Sequence, residues 1–220
     1  MIKGLIFDMD GTFVSNMPFH MLAWAEQGRR HNYELIAPVS NRFYGWHNFD
    51  ILPNVVPADV IERFGLEYLS DEKEAIYREL YAGNVVLAEG LDDLMQDAER
   101  CGVKCFIGSA APRLNAEFVI RESGTAERLA GYICADDVTH CKPHPEIFLR
   151  SCERMGLQPS ECVVFEDAIS GIKAGVAAGC HVVGISSTAP AEVLLEGGAE
   201  FVEPDFRGMT IESLSARLLK

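Results

Sequence analysis

Apolar positions along the chain fall into two textures. A short run, 3–7, reads as a buried strand and stops abruptly at Asp8, Met9, Asp10 and Gly11. From about residue 17 to 83 no strong buried-strand run follows, and the spacing turns helical. Pro18 suits a first helical turn, and Phe19, Leu22, Ala23 and residues 25–27 carry that helix to His31. Further helices are predicted over Ala58–Phe64, introduced by Pro57, and over Asp71–Tyr81, where Ile76, Tyr77 and Leu80 share a stripe. From Gly90 onward short β-rich runs alternate with amphipathic helices: 103–108 after a helix at 91–102, 161–167 after 145–156, and 181–186 after 170–179. Each of these helices ends near a glycine, as left-handed caps require. Strand, helix, strand predicts a parallel sheet covered on both faces. The fold class is therefore α/β, a Rossmann-like parallel-sheet core over 1–14 plus 86–220, with a small all-helical cap, 15–85, inserted after the first strand.

Open parallel sheets bind ligands beyond the carboxyl ends of their strands. Asp8 and Asp10 follow the first strand, Ser109 ends 103–108, and Glu166 and Asp167 end 161–167. Lys142 lies in the loop between an expected strand at 132–135 and the helix at Pro145, facing the same mouth. Taken singly, such residues are turn formers, helix caps or surface lysines. At successive strand ends they form a set. Crowded carboxylates repel, and a hard cation relieves them; an all-oxygen ligand set without His or Cys suits Mg2+. If the chain turns at Gly11, one carboxylate can attack phosphorus while the other moves a proton.

The 33 acids against 19 Lys and Arg leave a net charge of -14, which repels nucleic-acid phosphates and anionic lipid headgroups. Neither nucleic acid nor membrane is an expected partner, and an anionic substrate needs a local device to hold it. Seven cysteines without a C-x-x-C pair are cytosolic usage. His140, Cys141 and His144 lack the second matching pair of a zinc site. No run of eighteen apolar residues exists, and the opening run is too short for a signal peptide, so a cytoplasmic location is expected. Nothing in the pattern demands more than a monomer.

The segments "DMDGT", "GSAAPRLN", "CKPHPEIF" and "FEDAISGIKAGVAAG" resemble, in order and spacing, the four motifs of the haloacid dehalogenase superfamily. The helical insertion, with "MPFHMLAW" at its start, is similar to the cap of the β-phosphoglucomutase-like and sugar-phosphate phosphatase group. The resemblance implies Asp8 as a nucleophile forming an aspartyl phosphate and Asp10 as general acid and then base. It implies Mg2+ held by Asp8, the Asp10 backbone carbonyl and Asp167, with Glu166 beside them, and Ser109 and Lys142 on the transferring phosphoryl group. Asp10 separates the chain from the dehalogenases, which lack a second acid. Ala110 lies beside Ser109, and Arg113 is a candidate for a second phosphate contact. Trp46, His47 and Asn48 are candidates for the leaving group, and His20 resembles a residue coupling cap closure to Asp10. Asn48 stands where the mutases have arginine, and "AAPR" replaces their Ser-Lys-Asn-like run. The expected activity is hydrolysis of a small phosphorylated metabolite, a sugar phosphate, with a hexose phosphate mutase or a phospho-accepting, receiver-like regulator as the alternatives.

Overall fold

The computed structural model describes residues 1–39, 43, 46 and 48–219. Six parallel strands form one sheet in the order β3-β2-β1-β4-β5-β6: β1 Gly4–Phe7, β2 Lys104–Gly108, β3 Leu129–Ile133, β4 Cys162–Glu166, β5 His181–Ile185 and β6 Phe201–Glu203. β1 lies between β2 and β4, where the strand order reverses, so the crevice of the sheet opens at its carboxyl end.

The period-2 alternation of a strand assigns each side chain to a layer. Leu5 and Phe7 point into an apolar layer built with Leu91, Leu94, Phe118, Val119 and Leu214, which come from α5 (Leu91–Arg100), α6 (Arg113–Glu122) and α10 (Ile211–Leu218). Ile6 points the other way, onto Phe148, Cys152, Ile172 and Leu194 of α7 (Glu146–Met155), α8 (Ile169–Ala178) and α9 (Ala191–Gly197). Because β1 is covered on both faces, all four of its residues are apolar or glycine and buried. Phe7 stacks on Phe165 with ring centroids 5.2 Å apart, and Phe206 meets both rings near edge-on.

Among the described residues four α-helices come between β1 and α5: α1 Met17–His31, α2 Asn48–Val55, α3 Ala58–Phe64 and α4 Leu66–Tyr81. They enclose an apolar cluster of their own, including Trp24, Phe43, Leu52, Val55 and Leu69. The inner faces of α1 and α4 join the main core through Ala23, Ile76, Tyr77 and Tyr81. The chain leaves and re-enters the sheet domain side by side, where Val14 bridges Leu87 and Ala88 N donates to Phe13 O over 2.9 Å.

α1 and α3 keep their expected limits, whereas α4 begins five residues before the expected Asp71, because Gly65 opens its first turn. The strand expected at 132–135 lies at Leu129–Ile133, and a 3-10 turn occupies Ala135–Asp137. α2 carries Pro53 inside it, which masks its periodicity, and the half-buried three-residue β6 is too short to leave a pattern.

Candidate active site

The register of the central strands brings the polar residues together. Phe7 pairs with Ile107 on one side and with Phe165 on the other, so Asp8, Gly108 and Glu166 stand level at the strand ends. Asp8 N continues the ladder to Phe165 O at 2.9 Å before the chain turns away. Gly11, at φ 84°, makes that turn, and a Cβ there would run into the Asp167 carboxylate.

Lys142 is the central tie. Its ammonium donates to Asp8 Oδ1 (2.5 Å), Glu166 Oε1 (2.6 Å) and Gly108 O (3.2 Å), which uses all of its protons. The other oxygen of Glu166 accepts from Asp167 N and Ala168 N, both at 3.1 Å, at the start of α8. Gly171, one turn into that helix, has no room for a Cβ because the Glu166 carboxylate fills the space. Asp167 accepts from Thr12 Oγ1 at 3.0 Å and, on its other oxygen, from Thr188 Oγ1. Ser109 is buried at the end of β2; its Oγ accepts from Ala111 N at 3.1 Å, which leaves the hydroxyl proton to offer.

Asp8, Glu166 and Asp167 are three buried carboxylates facing one ammonium. Burial pushes Asp8 well above the usual carboxylate range; Lys142 opposes this, and Glu166, Asp167 and Asp10 reinforce it. Burial and the Glu166 charge raise Asp167 to about 7 against the hydroxyl bonds and Lys142. Burial lowers the proton affinity of Lys142, but Asp8 and Glu166 outweigh it and keep the ammonium charged. The carboxylate oxygens of Asp8, Glu166 and Asp167 lie within 4.8 Å of one another, a separation and donor chemistry that fit a hard divalent cation. The Lys142 ammonium and two backbone N–H groups tie both oxygens of Glu166, whereas both bonds to Asp167 come from hydroxyls that can turn away, so Asp8 and Asp167 are the carboxylates with ligand capacity left.

Asp10 stands on the other side of the turn, a quarter exposed to the cleft. Asn16 Nδ2 donates to its Oδ1 at 2.6 Å and to Tyr77 Oη at 2.7 Å, while Asn16 Oδ1 accepts from Gly11 N at 3.1 Å. His20 stacks on Tyr77, receives a bond from Lys73 Nζ on Nδ1 at 2.7 Å, and presents Nε2 to Asp10 Oδ1 at 3.5 Å. Burial raises the proton affinity of Asp10, but the electrostatic pull of the His20 imidazole and the bonds from His20 and Asn16 win, so Asp10 lies below the usual carboxylate value.

A cavity of about 330 Å³ lies between the strand ends and the helical insertion. Asp8, Asp10, Ser109, Ala110 and Asp167 form its floor, and His20, Trp24, Trp46, Asn48, Lys73 and Glu74 its opposite wall. Trp46 packs edge-on against Phe43, and Asn48 Nδ2 donates to Glu74 Oε1 at 2.6 Å. His47 lies outside the described residues. Arg113 is not brought to the cavity: its guanidinium bonds Asp137 at 2.6 Å and Tyr132 Oη at 3.4 Å, so a neighbouring acid already holds its charge. His140 and His144 stand ring to ring at the surface, 4.5 Å apart, and His140 Nδ1 lies 3.1 Å from Glu146. Asn16, Lys73, Glu74 and Asn115 escaped the sequence reading. They lie in a helical segment or a helix start whose polar residues look solvated in sequence, and no local pattern marks them as buried.

A family model described as haloacid dehalogenase-like hydrolase matches residues 2–179. The fructose-1-phosphate phosphatase YqaB of Escherichia coli is 32% identical over 185 residues, covering 83% of this chain and 95% of that protein. Validoxylamine A 7'-phosphate phosphatase of Streptomyces hygroscopicus is 31% identical over 199 residues, 89% of this chain and 91% of its own. Among solved structures, a β-phosphoglucomutase from Clostridium difficile shares the fold with a TM-score of 0.85 at 24% identity, over 100% of this chain and 98% of that one. With a family model spanning most of its length and relatives above 30% identity over nearly all of theirs, this chain belongs to the haloacid dehalogenase-like hydrolases.

Proposed function

We propose that this protein is a magnesium-dependent phosphatase that hydrolyses a small sugar or polyol phosphate through a covalent phosphoryl group on Asp8, with helices α1–α4 serving as a cap. The observation that carries the reading is the position of Asp8. It is buried at the cavity floor, with one oxygen held by Lys142 and the other free to attack. Asp8 Oδ2 bonds to phosphorus as the ester oxygen leaves, and Asp10, at the cleft, gives that oxygen its proton. The bound phosphate is anionic, so it raises the proton affinity of Asp10 and populates the acid form in the complex. Asp10 then takes a proton from the water that attacks phosphorus and releases Asp8. Lys142 and Ser109 offset charge on the phosphoryl oxygens in a site closed to bulk water. Mg2+, held by Asp8, Asp167 and the Asp10 carbonyl, would neutralise the phosphoryl oxygens and fix their orientation.

Hydrolysis is favoured over isomerisation because a mutase must grip a second phosphate, and distal anions are gripped by bidentate arginine. Asn48 stands at the arginine position and Arg113 is committed to Asp137. The names of the relatives, fructose-1-phosphate phosphatase and hexitol phosphatase, point the same way for the substrate class. Among the described residues no helix is long and apolar enough to cross a membrane. The test is phosphate release from a panel of sugar and polyol phosphates with Mg2+, for the wild type and for Asp8→Asn. The reading requires steady turnover lost in the variant. Isomerisation of β-glucose 1-phosphate without free phosphate contradicts it, as does a single equivalent of phosphorylation without turnover.

A further inference from the structure

Asn115 is buried in the first turn of α6, in the segment that follows Ser109, and it faces α4 of the helical insertion. Its amide nitrogen donates to Glu74 Oε2 at 2.6 Å, and its amide oxygen accepts from Arg78 at 2.6 Å. A guanidinium only donates and a carboxylate only accepts, so one orientation of the amide alone satisfies both partners. Glu74 and Arg78 are one helical turn apart and therefore stand on the same face of α4. One core side chain thus reads two successive turns of the insertion. Glu74 also accepts from Lys73 at 2.9 Å and from Asn48 at 2.6 Å, which ties the latch to the wall of the cavity. Asn115 and Glu74 both line that cavity, so their bond forms only while the insertion sits on the core.

We infer that Asn115 is a positioning residue, a latch whose two-sided amide bond to Glu74 and Arg78 holds the helical insertion closed over the Asp8 cavity and in register with the Ser109 loop. It rests on the phosphatase reading for its effect on turnover, but the closure itself is independent of which ester is cleaved. Hydrogen bonds to charged partners at a buried site are the strong kind, and two are made by a single side chain.

The test exchanges donor and acceptor across the latch. Asn115→Asp sets a carboxylate against Glu74 while keeping the bond from Arg78. Glu74→Gln in the same chain then restores a donor facing an acceptor, and its amide oxygen still accepts from Lys73 and Asn48. The chain has two tryptophans, Trp24 and Trp46, and both line the cavity, so acrylamide quenching of their fluorescence reports opening. Thermal unfolding verifies that each variant is folded at the assay temperature. Asn115→Asp is expected to raise quenching and to lower kcat/KM on both fructose 1-phosphate and p-nitrophenyl phosphate by about tenfold or more, with the double variant recovering most of both. The latch is overturned if folded Asn115→Asp and Asn115→Ala quench like the wild type with kcat/KM within about twofold of it. It is equally overturned if the double variant is no better than Asn115→Asp, or if the loss is confined to one ester, which would make Asn115 a substrate contact. Should the wild type cleave no phosphate ester, the phosphatase reading fails, and quenching still decides the latch.

Discussion

Lys142→Met removes the ammonium, whose Nζ lies 5.0 Å from the Phe148 ring, from a buried cluster of acids while keeping the length of the stem. In the wild type the ammonium bonds Asp8 at 2.5 Å and Glu166 at 2.6 Å, with the Lys142 side chain 1% exposed and those of the acids 11% and 2%. Stripping a partner from a buried ion pair leaves an uncompensated charge and costs about 3–5 kcal/mol. A domain of this kind has a total stability of about 5–15 kcal/mol, so the loss is large but survivable. Protonation of Asp8, already driven upward by burial, absorbs part of the cost in the variant. A divalent cation bound at Asp8 and Asp167 would replace part of the missing charge, and saturation at about 100 times Kd would add about 2.7 kcal/mol to any form that binds it. Urea unfolding followed by circular dichroism, in EDTA and in excess Mg2+, measures both effects. The variant is expected to lose about 3–5 kcal/mol in EDTA, to recover more than the wild type does in Mg2+, and to lose about 10²-fold or more in kcat. A stability within about 0.5 kcal/mol of wild type in EDTA refutes the claim that Lys142 holds the acids together.

Gly171→Ala forces a methyl group into the Glu166 carboxylate, so a loss of about 1–3 kcal/mol in urea unfolding is expected, with activity falling alongside it. Burial pushes Glu74 upward, but the Lys73 charge, the electrostatic pull of the His20 imidazole and the bonds to Lys73 and Asn115 hold it at about 2, against 4.5 for an ordinary glutamate. A depressed folded-state pKa stabilises the fold above the unfolded value, here by about 3 kcal/mol, and that contribution is lost as pH falls from about 4.5 towards 2. Glu74→Gln should therefore show a flatter acid limb in a plot of Tm against pH, and an unchanged limb removes Glu74 as its source. EDTA dialysis should abolish phosphate release and Mg2+ should restore it; full activity in the metal-free enzyme contradicts a metal held by Asp8 and Asp167.

The sheet and the floor of the site were legible in sequence because both rest on local chemistry. A four-residue apolar strand ended by Asp8 announces a buried strand with a polar tip, and "CVVF" followed by Glu166 and Asp167 repeats the signal. Parallel pairing in register then places those tips side by side without any further instruction from sequence. The wall of the cavity was not legible in the same way. Lys73 and Glu74 sit in "SDEKEAIYREL", a segment that reads as a solvated helix face, yet both are buried because α4 packs against α1 and α6. Arg113 shows the reverse: it lies close to Ser109 in sequence, but Asp137, twenty-four residues on, draws its guanidinium away from the cavity. α2 was hidden by Pro53, and no spacing rule points Asn16 at Asp10, because that contact depends on the turn at Gly11.

The central claim is a covalent bond between phosphorus and Asp8. Rapid acid quench of the enzyme during turnover of whichever ester of the panel releases phosphate fastest with Mg2+, followed by borohydride reduction and peptide mass spectrometry, looks for that bond directly. The account predicts homoserine in place of aspartate at position 8, absent without substrate and absent in a parallel sample of Asp8→Asn. Steady turnover with position 8 always recovered as aspartate, or a reduced residue found elsewhere in the chain, contradicts it.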